Sequence, residues 1–330
     1  MKRLTRKLCI YFTPFLLLLL FFYSFEPYDW FGARHDAAYL TKPLSSMREL
    51  IVSKPECIIL GDSRLANLNL DYVQQITGDR YTMLGFGGAH LGECIELFWF
   101  ATRHTQLKKV VFEASFYYFR GEEGYLEGRI PEMEIQATDL FAFTMRVDTW
   151  LRAVDKGKQS GQLLLSRMLG KPDLAPEPDE DPTAFVRQQV NYDEPGEVYR
   201  LGLEKYAVED ILPNCQDFYL DDRIWPMLDE VIEYCGSNDI DLVFVIPPMH
   251  KSLFTLVTEP LGIDADRQRI LDYLTVRAKV IDFEFDSPLN SYDENYFDGF
   301  HLRNEMKRAL ADLIFTDMES VSVHRTQPTR

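Results

Sequence analysis

The chain has 330 residues, which is enough for one large domain or two smaller ones. Hydrophobic residues make up 46 % of it and charged residues 26 %, a balance that can bury a core and excludes a wholly disordered chain. The formal net charge of −17 argues against a general nucleic-acid binder, because such a protein needs a basic surface for phosphates. No fixed period recurs, so neither a repeat protein nor a coiled coil is expected.

The amino terminus differs from the rest of the chain. An apolar stretch over residues 8–25, without a charged residue, follows four basic residues, Lys2, Arg3, Arg6 and Lys7. About 18 apolar residues in a helix just cross a bilayer core of roughly 30 Å. This pattern predicts a single-pass signal anchor over 1–25 in the cytoplasmic membrane, with the remainder of the chain on the periplasmic side. A cleaved signal peptide is the alternative, although the following residues offer no A-x-A cleavage pattern.

Short apolar runs alternate with helical patterns through the body of the chain. Runs of this length suit strands that are buried on both faces of a parallel sheet, and they cover 56–60, 81–85, 109–115, 241–246 and 279–283. The helical patterns cover 91–104, 222–235, 267–277 and 302–318. The alternation predicts an α/β fold, a three-layer α/β/α sandwich of the flavodoxin-like type, with a doubly wound parallel sheet of about five strands. In such sheets ligands bind at the carboxyl ends of the strands.

The domain that contains these strands is expected over 55–318, preceded by a stalk over 26–54 and followed by a carboxyl-terminal tail over 319–330. The third and fourth strands are separated by a long insertion, at about 117–220, which is far longer than an ordinary connection. Within it, 171–182 has four prolines and five acidic residues, which predicts an exposed, extended loop. The insertion is either a lid or partner surface, or an elaborated connection without a role in binding.

Five cysteines are present, Cys9, Cys57, Cys94, Cys215 and Cys235. In an oxidising compartment the last four allow three disulfide pairings, of which Cys215 with Cys235 is the least strained. Buried free thiols are at least as good an interpretation, because a domain of this size needs no disulfide. No CxxC or HxxxH spacing predicts a zinc site, and no nucleotide motif is present, so no metal and no cofactor are expected.

Three motifs carry candidate chemistry at the expected strand ends. The first, Gly61-Asp62-Ser63-Arg64, places a serine hydroxyl where a helix amino terminus favours an anion, although a plain helix cap has the same residues. The second is a glycine turn over 85–88, in which the Gly88 N–H could reach an oxyanion, although a tight turn explains it too. The third, over 298–301, supplies a histidine base with a carboxylate three residues away.

Together and in this order, the three motifs resemble the SGNH (GDSL-type) hydrolase superfamily across 55–318. The resemblance implies that Ser63 is the nucleophile, His301 the general base and Asp298 the acid that orients the base. It also implies an oxyanion hole formed by the N–H groups of Ser63 and Gly88. The asparagine that usually follows the third strand is absent from residues 112–117, and Ser115 is the candidate replacement donor.

Three further residues are candidates for substrate binding. Arg64 could bind an anionic group of the substrate, or could pair with an acid. His90 follows the glycine turn and could contact substrate, or could begin a helix. His250 follows the fourth expected strand and could line the crevice, although a surface position is the simpler interpretation.

With the expected anchor, the segments GDSR, LGFGGAHLGE, VFVIPP and DGFH are similar to those of envelope proteins of this superfamily, which include alginate O-acetylation factors and teichoic-acid D-alanine-transfer proteins. The resemblance implies a serine esterase or O-acyltransferase that acts on acyl groups of cell-envelope polysaccharide. It also implies a multi-pass membrane acyltransferase as a partner. The alternative is a non-catalytic envelope subunit that binds a polymer or that acyltransferase.

Overall fold

The computed structural model describes residues 2–28, 30–31, 43–119, 130–171, 196–215, 218–316, 318 and 320–328. It divides the chain into two units. One comprises Met1–Arg48 and Glu132–Asp181, and is helical where it is described. The other comprises Glu49–Pro131 and Pro182–Arg330, and contains the sheet and all three motifs.

The sheet is mixed, and five of its six strands are parallel. In chain order the strands are β1 Cys57–Leu60, β2 Tyr81–Met83, β3 Lys109–Glu113, β4 Asp241–Ile246, β5 Lys279–Asp282 and β6 His324–Thr326. Their spatial order is β2-β1-β3-β4-β5-β6. The five predicted strands are therefore confirmed in position, and the fold is a mixed α/β fold. Because β1 to β5 run in one direction, the segments that follow them meet at one edge of the sheet.

The strands are apolar along their whole length because both faces of the sheet are covered. Ile58, Ile59 and Leu60 of β1 are fully buried, as are Val110 and Phe112 of β3. Alternating side chains of one strand point to opposite faces, so this burial requires cover on both sides. The principal helices of this unit are Leu70–Thr77, Leu91–His104, Glu197–Tyr206, Ile224–Ser237, Lys251–Leu261, Asp264–Thr275 and Asn304–Phe315.

Short helices lie close to the sheet edge where the motifs are found. They are the α-helices Ser63–Ala66, Leu212–Asn214 and Pro288–Ser291, the 3₁₀ helices Phe116–Phe119 and Asp293–Asn295, and a π-helical segment, Ala207–Ile211. Of the predicted helices, Leu91–His104 has the predicted bounds. The other three begin and end within about three residues of prediction.

The end of the chain contains a strand that the sequence did not predict. β6 pairs antiparallel with β5, with Arg325 beside Ile281. It lies within the segment interpreted as a tail, because His324, Arg325 and Thr326 have no apolar pattern to indicate a buried strand. One contact that stabilises it is the stacking of the His324 ring on Phe285, with centroids 3.6 Å apart.

The helical unit contains the helices Lys2–Phe25, Ile130–Thr138, Leu140–Thr144 and Val147–Leu169, and the helix Pro43–Ser53 begins in it. The membrane anchor predicted over 1–25, and the single-pass membrane location derived from it, are contradicted. Among the residues described, no helix is long and apolar enough to cross a bilayer. Instead, Phe22 is 2 % exposed, and its ring centroid lies 4.4 Å from that of Trp150. A sequence does not distinguish an apolar residue that contacts lipid from one that packs on a neighbouring helix, as Phe22 does.

The predicted insertion is covered only in part. Its proline-rich acidic loop, predicted over 171–182, lies almost wholly outside the described residues, which stop at 171 and resume at 196. The segment 196–215 belongs to the unit with the sheet. The role of the insertion as a lid or partner surface stays a prediction.

Candidate active site

The first motif forms the turn between β1 and a short helix. Gly61 and Asp62 follow the strand, and the helix Ser63–Ala66 begins at the serine. Asp62 caps this helix, because its Oδ1 accepts a hydrogen bond of 2.8 Å from the backbone N–H of Arg64. The turn therefore holds Ser63 beyond the carboxyl end of a central strand.

The third motif brings a base and an acid to the same serine. Ser63 Oγ lies 2.6 Å from His301 Nε2, and His301 Nδ1 lies 2.6 Å from Asp298 Oδ2. Asp298 is fully buried, and its Oδ1 accepts hydrogen bonds from the backbone N–H groups of Phe300 and His301. This network assigns the proton of the imidazole to Nδ1, so Nε2 is left to accept the hydroxyl proton of Ser63.

The environment of His301 favours its charged form. Burial alone would lower the pKa of His301, but the hydrogen bond and the negative charge of Asp298 outweigh it, and the pKa is raised above the usual 6.5. Nearby, the charge of Asp62 raises this pKa further and that of Arg64 lowers it. A stronger base of this kind is suited to accept a proton from a serine near neutral pH.

A cleft of about 400 Å³ opens beside the serine and the histidine. Its walls come from all three motifs and from the segment 206–215, which includes the π-helical turn. Single π-helical turns of this kind are frequent at functional sites. The cleft is partly apolar, through Phe116, Ile211, Val257 and Phe300. Its size and mixed lining are suited to a small acyl group and part of its carrier.

Asp210 is an acidic group in the same cleft. It lies within the π-helical turn and lines the cleft with its neighbour Ile211. Its Oδ2 is buried and has no hydrogen-bond partner among the described residues. A buried acceptor without a partner is rare in proteins.

The two candidate oxyanion donors in the glycine turn and on β3 differ in position. Gly88 lines the cleft with Ser63, and its φ of +70° is a left-handed conformation that favours glycine. Ser115 is fully buried and is not among the cleft-lining residues described. The structure therefore places Gly88 on the cleft and does not place Ser115 there. Ser115 lies two residues past the end of β3 and is buried in the core.

Of the three candidate substrate-binding residues, two line the cleft. His90 lines it and is also the N-cap of the helix Leu91–His104, where its backbone N–H donates to Glu93 Oε2 at 3.1 Å. Arg64 lines it as well, but its Nη2 is bound to Glu113 Oε1 at 2.5 Å. The pairing of Arg64 with an acid is thus observed, and its binding to substrate stays a prediction.

His250 is neither on the surface nor among the cleft-lining residues described. It is 2 % exposed, and its Nε2 lies 3.1 Å from Asp293 Oδ1. Its Nδ1 accepts a hydrogen bond from the backbone N–H of Ser252, so the side chain caps the helix Lys251–Leu261. Burial lowers the pKa of His250, and Asp293 only partly offsets this. Helix capping and Asp293 therefore engage both nitrogens of His250, and its contact with substrate stays a prediction.

Sequence reasoning missed Glu113, the last residue of β3. It is fully buried and accepts a 2.8 Å hydrogen bond from the backbone N–H of Asp62. Burial and the neighbouring Asp62 raise the pKa of Glu113 well above its usual value, whereas Arg64 lowers that of Asp62 against the effect of burial. The only signal in the sequence is an acidic residue at the end of an otherwise apolar strand.

The cysteines outside the first helix, Cys57, Cys94, Cys215 and Cys235, are all buried, and no two of them form a disulfide. The disulfide considered between Cys215 and Cys235 is therefore not formed. Among the residues described, no cluster of three or more histidine, cysteine or acidic side chains is placed to hold a metal ion.

No protein-family model and no curated protein sequence matches the chain. Among solved structures, it is similar to a proposed acylhydrolase from Bacteroides fragilis, with 12 % identity, a TM-score of 0.40, and coverage of 85 % of this chain and 96 % of that one. It is also similar to a proposed platelet activating factor from Streptococcus pneumoniae, with 10 % identity, a TM-score of 0.37, and coverage of 82 % and 89 %. Because both TM-scores are below 0.5, the function proposed next depends on the geometry of the site.

Proposed function

We propose that this chain is a serine esterase or O-acyltransferase of the SGNH type, with Ser63, His301 and Asp298 as its catalytic residues. One observation carries the proposal: two consecutive hydrogen bonds of 2.6 Å join the serine, the histidine and a buried aspartate at the edge of a cleft. A serine hydroxyl is a weak nucleophile unless such a base removes its proton.

The chemistry follows from the two hydrogen bonds. Ser63 Oγ attacks the carbonyl carbon of an ester while its proton moves to His301 Nε2, and Asp298 stabilises the imidazolium that forms. The bond from carbon to the leaving oxygen then breaks, and the leaving alcohol takes the proton from Nε2. Water or a sugar hydroxyl next gives its proton to Nε2 and attacks the carbonyl carbon of the acyl-enzyme. The bond from that carbon to Ser63 Oγ then breaks, and Oγ takes the proton back from Nε2.

The negative charge that develops on the carbonyl oxygen needs donors. The N–H groups of Ser63 and Gly88 are the proposed pair, and the position of both residues on the cleft supports them. Residues 112–117, which include the end of β3 and the segment after it, contain no asparagine, and Ser115 is fully buried. Asn214, much later in the chain, lines the cleft. Loss of one oxyanion donor costs on the order of 10²–10³ in rate, so we expect a slower enzyme than one with three donors.

The proposed substrate is an acyl ester of cell-envelope polysaccharide, and the proposed partner is a multi-pass membrane acyltransferase. Both come from the resemblance of the ordered motifs to the envelope branch of the SGNH superfamily. The cleft contains groups of both signs, Asp210 and Arg64, and Arg64 is bound to Glu113.

The proposal is tested by exposing the full-length chain to a fluorophosphonate probe and locating the label by mass spectrometry. We expect a bond from Ser63 Oγ to phosphorus, formed with loss of fluoride, and no label in a Ser63→Ala variant. A folded wild-type chain that takes no label at this serine would contradict the proposal.

A second function is favoured by the absence of an asparagine from residues 112–117. In it, the chain is a non-catalytic subunit that binds the polymer or the acyltransferase through the same cleft. A strain that carries Ser63→Ala then keeps its wild-type level of polymer acylation. If the chain is instead a serine esterase or O-acyltransferase, the Ser63→Ala strain loses its polymer acylation.

A further inference from the structure

Glu113 contacts the residue on each side of the proposed nucleophile. Its Oε2 accepts the backbone N–H of Asp62 at 2.8 Å, and its Oε1 accepts Nη2 of Arg64 at 2.5 Å. Glu113 has no exposed surface, and the side chain of Arg64 is 2 % exposed. One buried carboxylate therefore holds both residues between which Ser63 lies.

The same carboxylate also touches the strand that leads to the serine. A Cβ atom added at Gly61 would lie 2.4 Å from Glu113 Oε2, so no side chain fits between β1 and Glu113. On the other side, a Cβ atom at Gly85 would lie 2.4 Å from the Gly61 carbonyl oxygen, which accepts a 3.0 Å hydrogen bond from Phe86 N–H. The turn before Ser63 is thus packed between Glu113 and the glycine turn.

We propose that Glu113 is a positioning residue, which fixes the nucleophile turn so that Ser63 Oγ stays aligned with His301 Nε2. The inference rests on the proposed function, since it assumes that Ser63 reacts. Glu113 occupies the end of β3, close to where the usual asparagine donor is absent. We therefore infer that this strand end contributes to the site by holding the nucleophile and not by stabilising the oxyanion.

Two features favour positioning over a direct effect of charge on the base. Glu113 has no hydrogen bond to the Ser63–His301–Asp298 chain among the bonds that the structure describes. In addition, its partners Asp62 and Arg64 act on the pKa of His301 in opposite directions. A misplacement of about 1 Å at a reacting atom can cost on the order of 10² in rate, so loss of the two contacts should be seen directly in the reactivity of Ser63.

The test compares two buried carboxylates in the full-length chain. Glu113→Ala removes the contacts beside the serine. Glu284→Ala is the matched control, because Glu284 is also buried, pairs with Arg267 at 2.9 Å and follows the parallel strand β5. The readouts are the rate constant of fluorophosphonate labelling at Ser63 from pH 5.5 to 9, and thermal unfolding by circular dichroism.

We expect Glu113→Ala to lower the plateau of the labelling rate by about 10²-fold without moving the midpoint of its pH profile. We expect Glu284→Ala to lower the unfolding temperature comparably and to change labelling by less than about threefold. An equal loss in both variants would mean that general destabilisation explains the result. A shifted midpoint that accounts for the loss would mean that Glu113 acts through charge. Either outcome overturns the inference.

Glu113→Gln keeps the inference testable if the alanine variant does not fold. The amide has one acceptor oxygen in place of two, so it can hold Asp62 or Arg64 but not both, and we expect about a tenfold lower labelling rate. If the folded glutamine variant is labelled at a rate within threefold of wild type, the positioning role of Glu113 is overturned and the proposed function still stands. A wild-type chain that takes no label overturns the proposed function, and this inference with it.

Discussion

Two histidines in this fold pair with an aspartate, and they differ in almost every other respect. His301 is joined to Asp298 at 2.6 Å through Nδ1, and its Nε2 faces Ser63 on the cleft. His250 is joined to Asp293 at 3.1 Å through Nε2, and its Nδ1 accepts the N–H of Ser252. The two side chains therefore have opposite tautomers.

The comparison shows that a histidine–aspartate pair does not by itself make a base. In His301 the aspartate takes the ring N–H and leaves a free lone pair on the nitrogen that faces the cleft. In His250 both nitrogens are used by the protein, and burial lowers the pKa. His250 contributes to the site in another way, because its backbone N–H donates to the Gly299 carbonyl at 2.7 Å and so supports the turn that carries Asp298 and His301.

The largest effect should come from replacing each imidazole. We expect His301→Gln to lower the rate of fluorophosphonate labelling at Ser63 by about 10³-fold, because the serine loses its base. We expect His250→Gln to lower it by less than about tenfold, because the backbone contact to Gly299 remains. If both variants are folded and their labelling rates fall by similar factors, His301 is not the base of Ser63.

Replacing each aspartate should have the next largest effect. Asp298→Asn keeps the shape of the acid but lets an amide face His301 Nδ1, which favours the wrong tautomer, so we expect labelling to fall by about 10²-fold or more. Asp293→Asn changes the partner of a histidine that does not face the cleft, and we expect less than a threefold change. The labelling rate constants at pH 8 measure both, and equal rates for the two variants would contradict the assignment.

The pH dependence of labelling sharpens the comparison further. His301 must be neutral to accept a proton, and its pKa is raised, so the rate should fall tenfold per unit as pH drops below a midpoint above 6.5. His250→Gln should leave that midpoint in place. A wild-type midpoint below 6.5 would show that burial outweighs Asp298 in the environment of His301.

The smallest effect is on stability, and it has opposite signs for the two histidines. The folded-state pKa of His301 is raised, so its contribution to the free energy of unfolding is present below about pH 6.5 and is lost as pH rises through the folded pKa. The folded-state pKa of His250 is lowered, so its contribution is present above about pH 6.5 and is lost as pH falls. Urea unfolding of the two glutamine variants from pH 5.5 to 8 measures the differences, and slopes of the same sign would contradict the pair of assignments.

The parts of the site that the sequence predicts are those with a local cause. Asp298 and His301 are three residues apart in one turn, and Ser63 follows a strand whose apolar run ends at a glycine, so the chain itself reveals them. The five parallel strands are predicted for a similar reason, because burial on both faces leaves a continuous apolar run.

The parts that the sequence missed depend on partners far apart in the chain. Glu113 pairs with Arg64 across 49 residues, and His250 with Asp293 across 43, and no periodicity links such positions. The anchor prediction failed because apolar residues alone do not distinguish a lipid-facing helix from one whose Phe22 packs on Trp150. The role of Glu113 could be suspected only from an acid that ends an apolar strand.

The last strand has a consequence for behaviour at high concentration. β5 would otherwise present a row of unpaired backbone groups along Val280 and Ile281, and such a row is a template for strand addition by another molecule. β6 covers it with three residues, and Arg325 fastens the strand by donating to the carbonyls of Leu313 and Thr316. A chain shortened before His324 would therefore keep its serine, base and acid, but the edge of β5 would be unpaired. We expect the loss of β6 to cause self-association and to leave the chemistry of the site intact.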